Sequence, residues 1–104
     1  MSQFSYKLTT ESDLFSFDFN PVLGTGETIS TATCTAITLQ GTDPSPSAIL
    51  SGSPVASLGK ATQRVTGGVA DNTYRLIMTV TTSASNTYTC TGDIPVYDPS
   101  EQIQ

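Results

Sequence analysis

Hydrophobic and polar residues alternate most regularly in two runs near the end of the chain, at 73–82 and 87–96. Side chains alternate between the two faces of a β-strand, so each run can turn an apolar face to a core and a Thr-rich face to water. The apolar positions are Tyr74, Leu76, Met78, Val80, Tyr88, Cys90, Ile94 and Val96. The short polar segment 83–86 between the runs is typical of a hairpin loop. The pattern therefore predicts a long antiparallel β-hairpin.

Shorter stretches of the same alternation predict further strands earlier in the chain. Phe15, Phe17 and Phe19 alternate with polar residues, and Pro21 ends the strand that they predict. The three aromatic side chains would all face the core of the domain.

The segment 29–39 predicts a second long strand with a β-bulge near Ala36. Ala32, Cys34 and Ala36 share one parity, whereas Ile37 and Leu39 have the other, and one extra residue would bring both sets to the same face. Short strands are also expected at 48–50, 55–58 and 60–66, separated by turns that contain Gly and Pro.

The composition agrees with an all-β fold in a single domain. The 104 residues include 18 Thr, which favours strands, and 8 Gly and 6 Pro, which favour turns. No window shows the apolar spacing of an amphipathic helix. About six to eight short strands with turns between them predict an antiparallel sandwich or barrel. The sandwich is favoured because Tyr74 follows a Gly-rich turn, where immunoglobulin-like folds place a corner tyrosine.

The charge of the chain limits its partners. With a formal net charge of −5, it lacks the clustered Lys and Arg that nucleic acids and anionic membranes require. The first residues lack the apolar core of a secretory signal, and no run approaches the roughly 20 apolar residues of a membrane span. We therefore expect a soluble protein made in a cytoplasm, with neither nucleic acid nor membrane among its partners.

The two cysteines, Cys34 and Cys90, both fall at apolar-facing positions of predicted strands. A disulfide across the core is one possibility, since some sandwich domains carry one. Two free thiols that act as small hydrophobic side chains are favoured, because the sequence shows no secretory signal.

Residues that usually carry enzymatic chemistry are scarce. The chain has no histidine, so the commonest general base and metal ligand are both missing. Its carboxylates lie mostly in predicted turns and do not form the spaced ligand series of a calcium loop. The Gly-rich segments 24–26 and 67–68 lack a phosphate-loop signature and a following helix. The sequence therefore predicts no enzyme, with no catalytic residue, cofactor or metal site.

Two stretches of the chain resemble a family of virion proteins from tailed bacteriophages. The first, at 15–29, is an aromatic strand that runs into Leu-Gly-Thr-Gly-Glu-Thr-Ile. The second, at 67–98, combines a Gly-Gly turn, a Tyr-bearing strand, a Thr-Thr-Ser turn and a closing Val-Tyr-Asp. Their order is similar to that of small immunoglobulin-like proteins described as fiber-tail adaptor proteins. Two features depart from the family: Cys34 stands where a large aromatic residue is expected, and 83–86 replaces a tighter Gly-containing turn.

The resemblance implies both a fold and a role. The fold would be an all-β, immunoglobulin-like antiparallel β-sandwich of about seven strands at 14–98, between an N-terminal arm at 1–13 and a C-terminal tail at 99–104. The role would be that of a non-enzymatic structural part of the virion, which joins tail fibres or other appendages to the tail by docking.

The terminal segments are the expected contact regions, because they carry apolar groups outside the regular strands. The candidate protein-interaction residues are Phe4, Tyr6, Leu8, Tyr97 and Ile103. These segments could add a strand to a neighbour's sheet edge, or they could fold back and cap the ends of the sandwich. The expected partners are tail, neck or fibre components, met as a symmetric oligomer in the virion after assembly in the host cytoplasm.

Other functions are compatible with the sequence. A capsid decoration or head-tail joining protein would use the same domain, because a fold does not determine a function. A carbohydrate-binding module would present exposed aromatic residues beside carboxylates or amides. The chain has no Trp, and most of its Phe and Tyr alternate inward, which disfavours that class and leaves Tyr88 and Tyr97 as its candidates.

Overall fold

Eight β-strands and two short 3-10 helices are found in the computed structural model, which describes residues 2–3 and 6–100. The strands are β1 (Ser2–Gln3), β2 (Lys7–Leu8), β3 (Ser12–Asp18), β4 (Ile29–Gln40), β5 (Leu50–Ser57), β6 (Lys60–Thr66), β7 (Thr73–Thr82) and β8 (Thr87–Tyr97). The 3-10 helices are Asn20–Val22 and Pro46–Ile49. The described residues form no α-helix, as the sequence predicts.

The strands form two sheets that pack face to face. One sheet has the order β1-β8-β7-β4, with β2 also paired to β8, and the other has the order β3-β6-β5. Neighbouring strands are antiparallel, except that β1 and β2 run parallel to β8. The predicted all-β sandwich is confirmed. The strand orders β4-β7-β8 and β3-β6-β5 are also those of the C-F-G and B-E-D strands of immunoglobulin domains.

The core lies between the two sheets and is centred on β7. The inward side chains of β7, from Tyr74 to Val80, are all completely buried. The other buried apolar side chains are Phe15, Phe17, Phe19, Ala36, Ile49, Ala61, Val65, Ile94 and Val96. Burying a side chain such as Leu76 stabilises the fold by about 1.5–3 kcal/mol relative to leaving it exposed. The alternation of the predicted hairpin and of the aromatic strand is therefore confirmed as a core pattern.

The prediction of a β-bulge near Ala36 is wrong. The ladder between β4 and β7 is regular from Thr31 to Thr38, and its irregularities lie at the two ends of β4. Because the parity does not switch, Ile37 stays on the outer face opposite Arg75 and is 42% exposed. Leu39 is likewise exposed. Two apolar side chains of the edge strand β4 therefore lie outside the core.

The segment between β4 and β6 also differs from the sequence prediction. The predicted strand at 48–50 is mostly the 3-10 helix Pro46–Ile49, which buries Ile49 under one end of the sandwich. The predicted turn before 55–58 is instead part of β5, which continues through Pro54 with a register shift between Ser51 and Val55. An edge strand tolerates a proline because the missing N–H can face away from the sheet.

Strand β7 separates the two cysteines. Cys34 and Cys90 both pair with Met78, from opposite sides. Two strand spacings of about 4.8 Å each exceed the Cα separation that a disulfide can span. Both thiols are free and partly buried, and burial raises the pKa of the Cys34 thiol to about 11. Cys34 is therefore protonated at neutral pH and packs as a small hydrophobic side chain.

Tyr74 connects the turn before β7 to the loop after β4. Its hydroxyl accepts a hydrogen bond from the Val69 N–H at 2.9 Å and donates one to the Asp43 carboxylate at 2.7 Å. Burial raises the pKa of Tyr74, and the bond to Asp43 acts in the same direction, so the hydroxyl remains a donor at neutral pH. The bond to a backbone group five residues upstream is the geometry of a corner tyrosine.

Replacing this tyrosine tests how much the corner stabilises the sandwich. Tyr74→Phe removes both hydrogen bonds while keeping the buried ring, and we expect it to lower the free energy of unfolding by about 1–3 kcal/mol. Urea denaturation measures the change. Tyr88→Phe, at a partly buried position of β8, is the control and should cost less than about 0.5 kcal/mol. Equal losses in the two variants would contradict a specific role for the corner.

Candidate interaction surface

The described part of the N-terminal arm lies along the outer side of β8. Ser2 and Gln3 pair with residues 92–93, and Lys7 and Leu8 pair with residues 96–97. The Thr9 N–H then donates to the Tyr97 carbonyl at 2.9 Å. An edge strand presents a row of backbone donors and acceptors that need partners, and the arm supplies them over the second half of β8.

Lys7 attaches the arm to the body of the sandwich. It is only 1% exposed, and its ammonium donates hydrogen bonds to the carbonyls of Gly67 at 2.6 Å and Leu8 at 2.8 Å. Burial lowers the pKa of Lys7, while the negative charges of Glu11 and Asp13 oppose that shift. A charged group removed from water must be paired or hydrogen-bonded, so these carbonyls hold the arm to the turn after β6.

A reciprocal pair of hydrogen bonds closes the turn between β2 and β3. The Leu8 N–H donates to the Glu11 carboxylate at 2.8 Å, and the Glu11 N–H donates to the Leu8 carbonyl at 3.0 Å. This turn sends the chain from one sheet to the other, because β2 belongs to the sheet of β8 and β3 to the sheet of β6. The arm is thus fixed to β8 and Gly67 on one side and to the start of β3 on the other.

Three of the predicted contact residues come together in one patch. Tyr6, Leu8 and Tyr97, which we call the arm patch, lie on the outer side of the sheet, opposite the buried Lys7 and Val96. The rings of Tyr6 and Tyr97 meet edge to face with centroids 5.9 Å apart and an interplanar angle of 64°. Tyr6 is 41% exposed, and the other two are partly exposed. The arm therefore folds back on the sandwich and still presents aromatic surface.

The other two predicted contact residues, Phe4 and Ile103, lie outside the described residues. Sequence reasoning missed Lys7, although a signal for it was present. Lys7 stands between Tyr6 and Leu8, so strand alternation directs it to the face opposite theirs. A lysine at such a position needs acceptors, and the nearby Gly67 carbonyl provides one.

At the end of the sandwich away from Tyr74, the Glu27 carboxylate connects two loops through hydrogen bonds. We call this set of hydrogen bonds the clamp. The carboxylate accepts hydrogen bonds from the Gly24 N–H at 2.7 Å, the Asn86 side chain at 3.0 Å and the Thr82 hydroxyl. These bonds, that of Gly24 first, hold the pKa of Glu27 below its usual range. The clamp lines a cleft of about 530 Å³. The Glu27 carboxylate therefore joins the segment that contains Gly24 to the loop between β7 and β8.

A family model matches most of the chain. The model described as "Podophage GP4 fiber-tail adaptor protein gp77" matches residues 7–95, from β2 into β8. No curated protein matches the chain. Within the described ranges, no helix is long and apolar enough to cross a membrane.

Removing the ammonium of Lys7 should loosen the arm. Lys7→Met keeps the apolar stem and removes the donors to Gly67 and Leu8, so we expect amide hydrogen exchange at residues 6–9 to accelerate about tenfold or more. Mass spectrometry of deuterated peptides measures the change. Lys60→Met, at an exposed position of β6, is the matched control. Unchanged exchange in Lys7→Met would show that other contacts hold the arm.

The clamp at Glu27 predicts a stability that depends on acid pH. A folded-state pKa below the ordinary 4.5 means that the ionised carboxylate stabilises the fold above that pH, and that this contribution is lost as the pH falls through the folded pKa. In Glu27→Gln this dependence should disappear, so that the melting temperatures of variant and wild type converge in acid. Thermal unfolding followed from neutral to acid pH measures both curves. A constant difference between them would contradict the clamp.

Proposed function

The chain belongs to the podophage GP4 fiber-tail adaptor family, and we propose that it joins tail fibres or other appendages to the tail of a virion. Its mechanism is docking, and it catalyses no reaction. The observation that carries this proposal is the family match over residues 7–95, which covers most of the sandwich and part of the arm.

The proposed division of labour follows the architecture. Residues 14–98 form a rigid body, while the arm at 1–13 and the tail at 99–104 make the contacts. A sandwich whose central strand buries all its inward side chains keeps its shape on binding, so the terminal segments carry the recognition. This arrangement suits a protein that must hold two larger assemblies at a constant distance.

The arm patch is the proposed centre of recognition. Aromatic side chains contribute much of the binding energy of protein interfaces, because they combine a large apolar area with few rotatable bonds. The Tyr6 and Tyr97 rings support each other edge to face, so little conformational entropy remains to be lost on binding. Phe4 and Ile103 lie in the adjoining terminal segments and would extend the apolar surface.

The proposed partners are other structural proteins of the phage, in the tail, the neck or the fibres. The chain would meet them as a symmetric oligomer, because tail structures are rotationally symmetric and oligomers close by symmetry. It would act in the virion after assembly in the host cytoplasm, and neither nucleic acid nor membrane would take part. The negative net charge of the chain supports the absence of nucleic acid and anionic membrane among its partners.

Immunogold electron microscopy of purified virions tests the location. An antibody against this chain should label the tail, the neck or the base of the fibres. Label over the capsid shell would instead indicate a decoration protein. The adaptor proposal fails if virions carry no label and quantitative mass spectrometry finds no copies of the chain.

The arm patch can be tested by the number of copies that each virion incorporates. Tyr6→Ser removes an exposed ring whose loss leaves the core intact, and we expect incorporation to fall about tenfold, as for a residue central to an interface. Val22→Ser removes a similarly exposed apolar side chain at the far end of the sandwich and should leave incorporation unchanged. Wild-type incorporation of Tyr6→Ser would overturn the role of the patch.

A further inference from the structure

The two sheets of the sandwich have four edges: the arm strands β1 and β2 form the edge beside β8, and β4, β3 and β5 form the other three. A sheet edge exposes unpaired backbone donors and acceptors, and natural proteins protect such edges because another chain can pair with them. Protection takes the form of a covering segment, a proline, a bulge, a charge or a short strand. How each edge of this chain is protected therefore indicates where a partner strand can add.

Three of these edges are protected. The arm pairs with residues 92–93 and 96–97 of β8 through the strands β1 and β2, which are two residues long each. Strand β5 is interrupted by Pro54 and by a register shift. Strand β3 carries the charges of Asp13 and Asp18, and the Asp13 carboxylate accepts the Leu14 N–H at 2.8 Å, which occupies a backbone donor with a side chain.

Among the described residues, the β4 edge has no paired strand on its outer side, no proline, no charge and no internal bulge, although β5 and the 3-10 helix Pro46–Ile49 pack against β4. The strand is twelve residues long and contains no charged residue, no proline and no glycine. Its irregularities lie at its two ends, so the ladder from Thr31 to Thr38 is continuous, and no described strand pairs with its outer side. It also carries exposed apolar surface, since Ile37 is 42% exposed and the inward Cys34 is only partly buried. A strand added here would cover backbone and apolar surface together.

We propose that the β4 edge pairs with the β4 edge of a second copy of this chain, antiparallel across a two-fold axis. The chemistry that complements a row of alternating N–H and C=O groups is another polypeptide strand. That strand must itself be long and unprotected, and among the described edges β4 alone meets this condition. A two-fold axis places the same surface on both partners, so one unprotected edge is sufficient.

The charge distribution agrees with pairing between identical strands. The chain carries a net charge of −5, which disfavours most contacts between copies. Residues 29–40 are neutral, and the nearest acidic residues in sequence, Glu27 and Asp43, lie beyond the two ends of β4. No like charges therefore face each other along the paired strands. The result is a continuous sheet that runs from one copy into the other, with the arm patches at its two far sides.

The pairing does not depend on the adaptor function, because it concerns only two copies of this chain. Analytical ultracentrifugation of the purified chain over a range of concentrations tests it. The wild type should reach twice the 10.9 kDa mass of the chain. Thr35→Lys places a lysine at the middle of each β4, where two copies would meet near the axis, and should weaken self-association about tenfold or more.

Thr89→Lys is the matched control, because it makes the same change on the same face in β8, away from the β4 edge. It should dimerise as the wild type does. A wild type that stays monomeric, a Thr35→Lys variant that dimerises normally, or dissociation by Thr89→Lys alone would each overturn the proposal. Circular dichroism verifies that both variants fold.

Hydrogen exchange supplies a test that needs no variant. Amides of β4 should become more protected in the wild type as its concentration rises, while those of the edge strand β3 should not change. Protection that rises at β3 or at 87–91 and not at β4 would assign the contact to another edge and contradict the proposal.

Discussion

The packing of the inner face of β7 against the opposite sheet is the interaction on which the rest of the structure depends. The inward side chains from Tyr74 to Val80 are completely buried, which requires β7 to have a strand on each side and a sheet above it. Strands β8 and β4 occupy the two flanks, and the arm strands β1 and β2 pair with the far side of β8. The burial of the inward side chains of β7 thus determines which strands lie beside it and which backbone edges can pair with other chains.

Those two flanking strands differ in what lies on their open sides. The arm covers half of β8, held there by backbone pairing and by the buried ammonium of Lys7. No described strand pairs with the open side of β4, and its neutral sequence does not repel a partner. The same segment that protects β8 also presents Tyr6 beside Tyr97. The arm therefore both pairs with the backbone of β8 and exposes the ring of Tyr6, whereas the outer side of β4 is open for pairing.

Polar side chains determine the rigidity of the body between these edges. Tyr74 and Asp43 connect loops at the arm end, and Glu27 connects two others at the far end. In the described part of the chain, every buried side-chain nitrogen or oxygen has a hydrogen-bond partner. Buried polar groups that are fully paired favour a single arrangement over alternatives. Such a body keeps its shape when its terminal segments bind, as the proposed adaptor role requires.

Local alternation of side chains was sufficient to predict the hairpin, the aromatic strand and the inward role of Tyr74, because a strand's two faces are encoded at every second residue. Pairing partners are not encoded locally, so tertiary structure alone decided that the arm runs parallel to β8 and that the Lys7 ammonium meets the Gly67 carbonyl. It also decided that Ile37 lies outside, since the continuous ladder with β7 overrode the apolar pattern of β4. The sequence by itself determined which faces are apolar, and long-range backbone pairing determined which edges remain open.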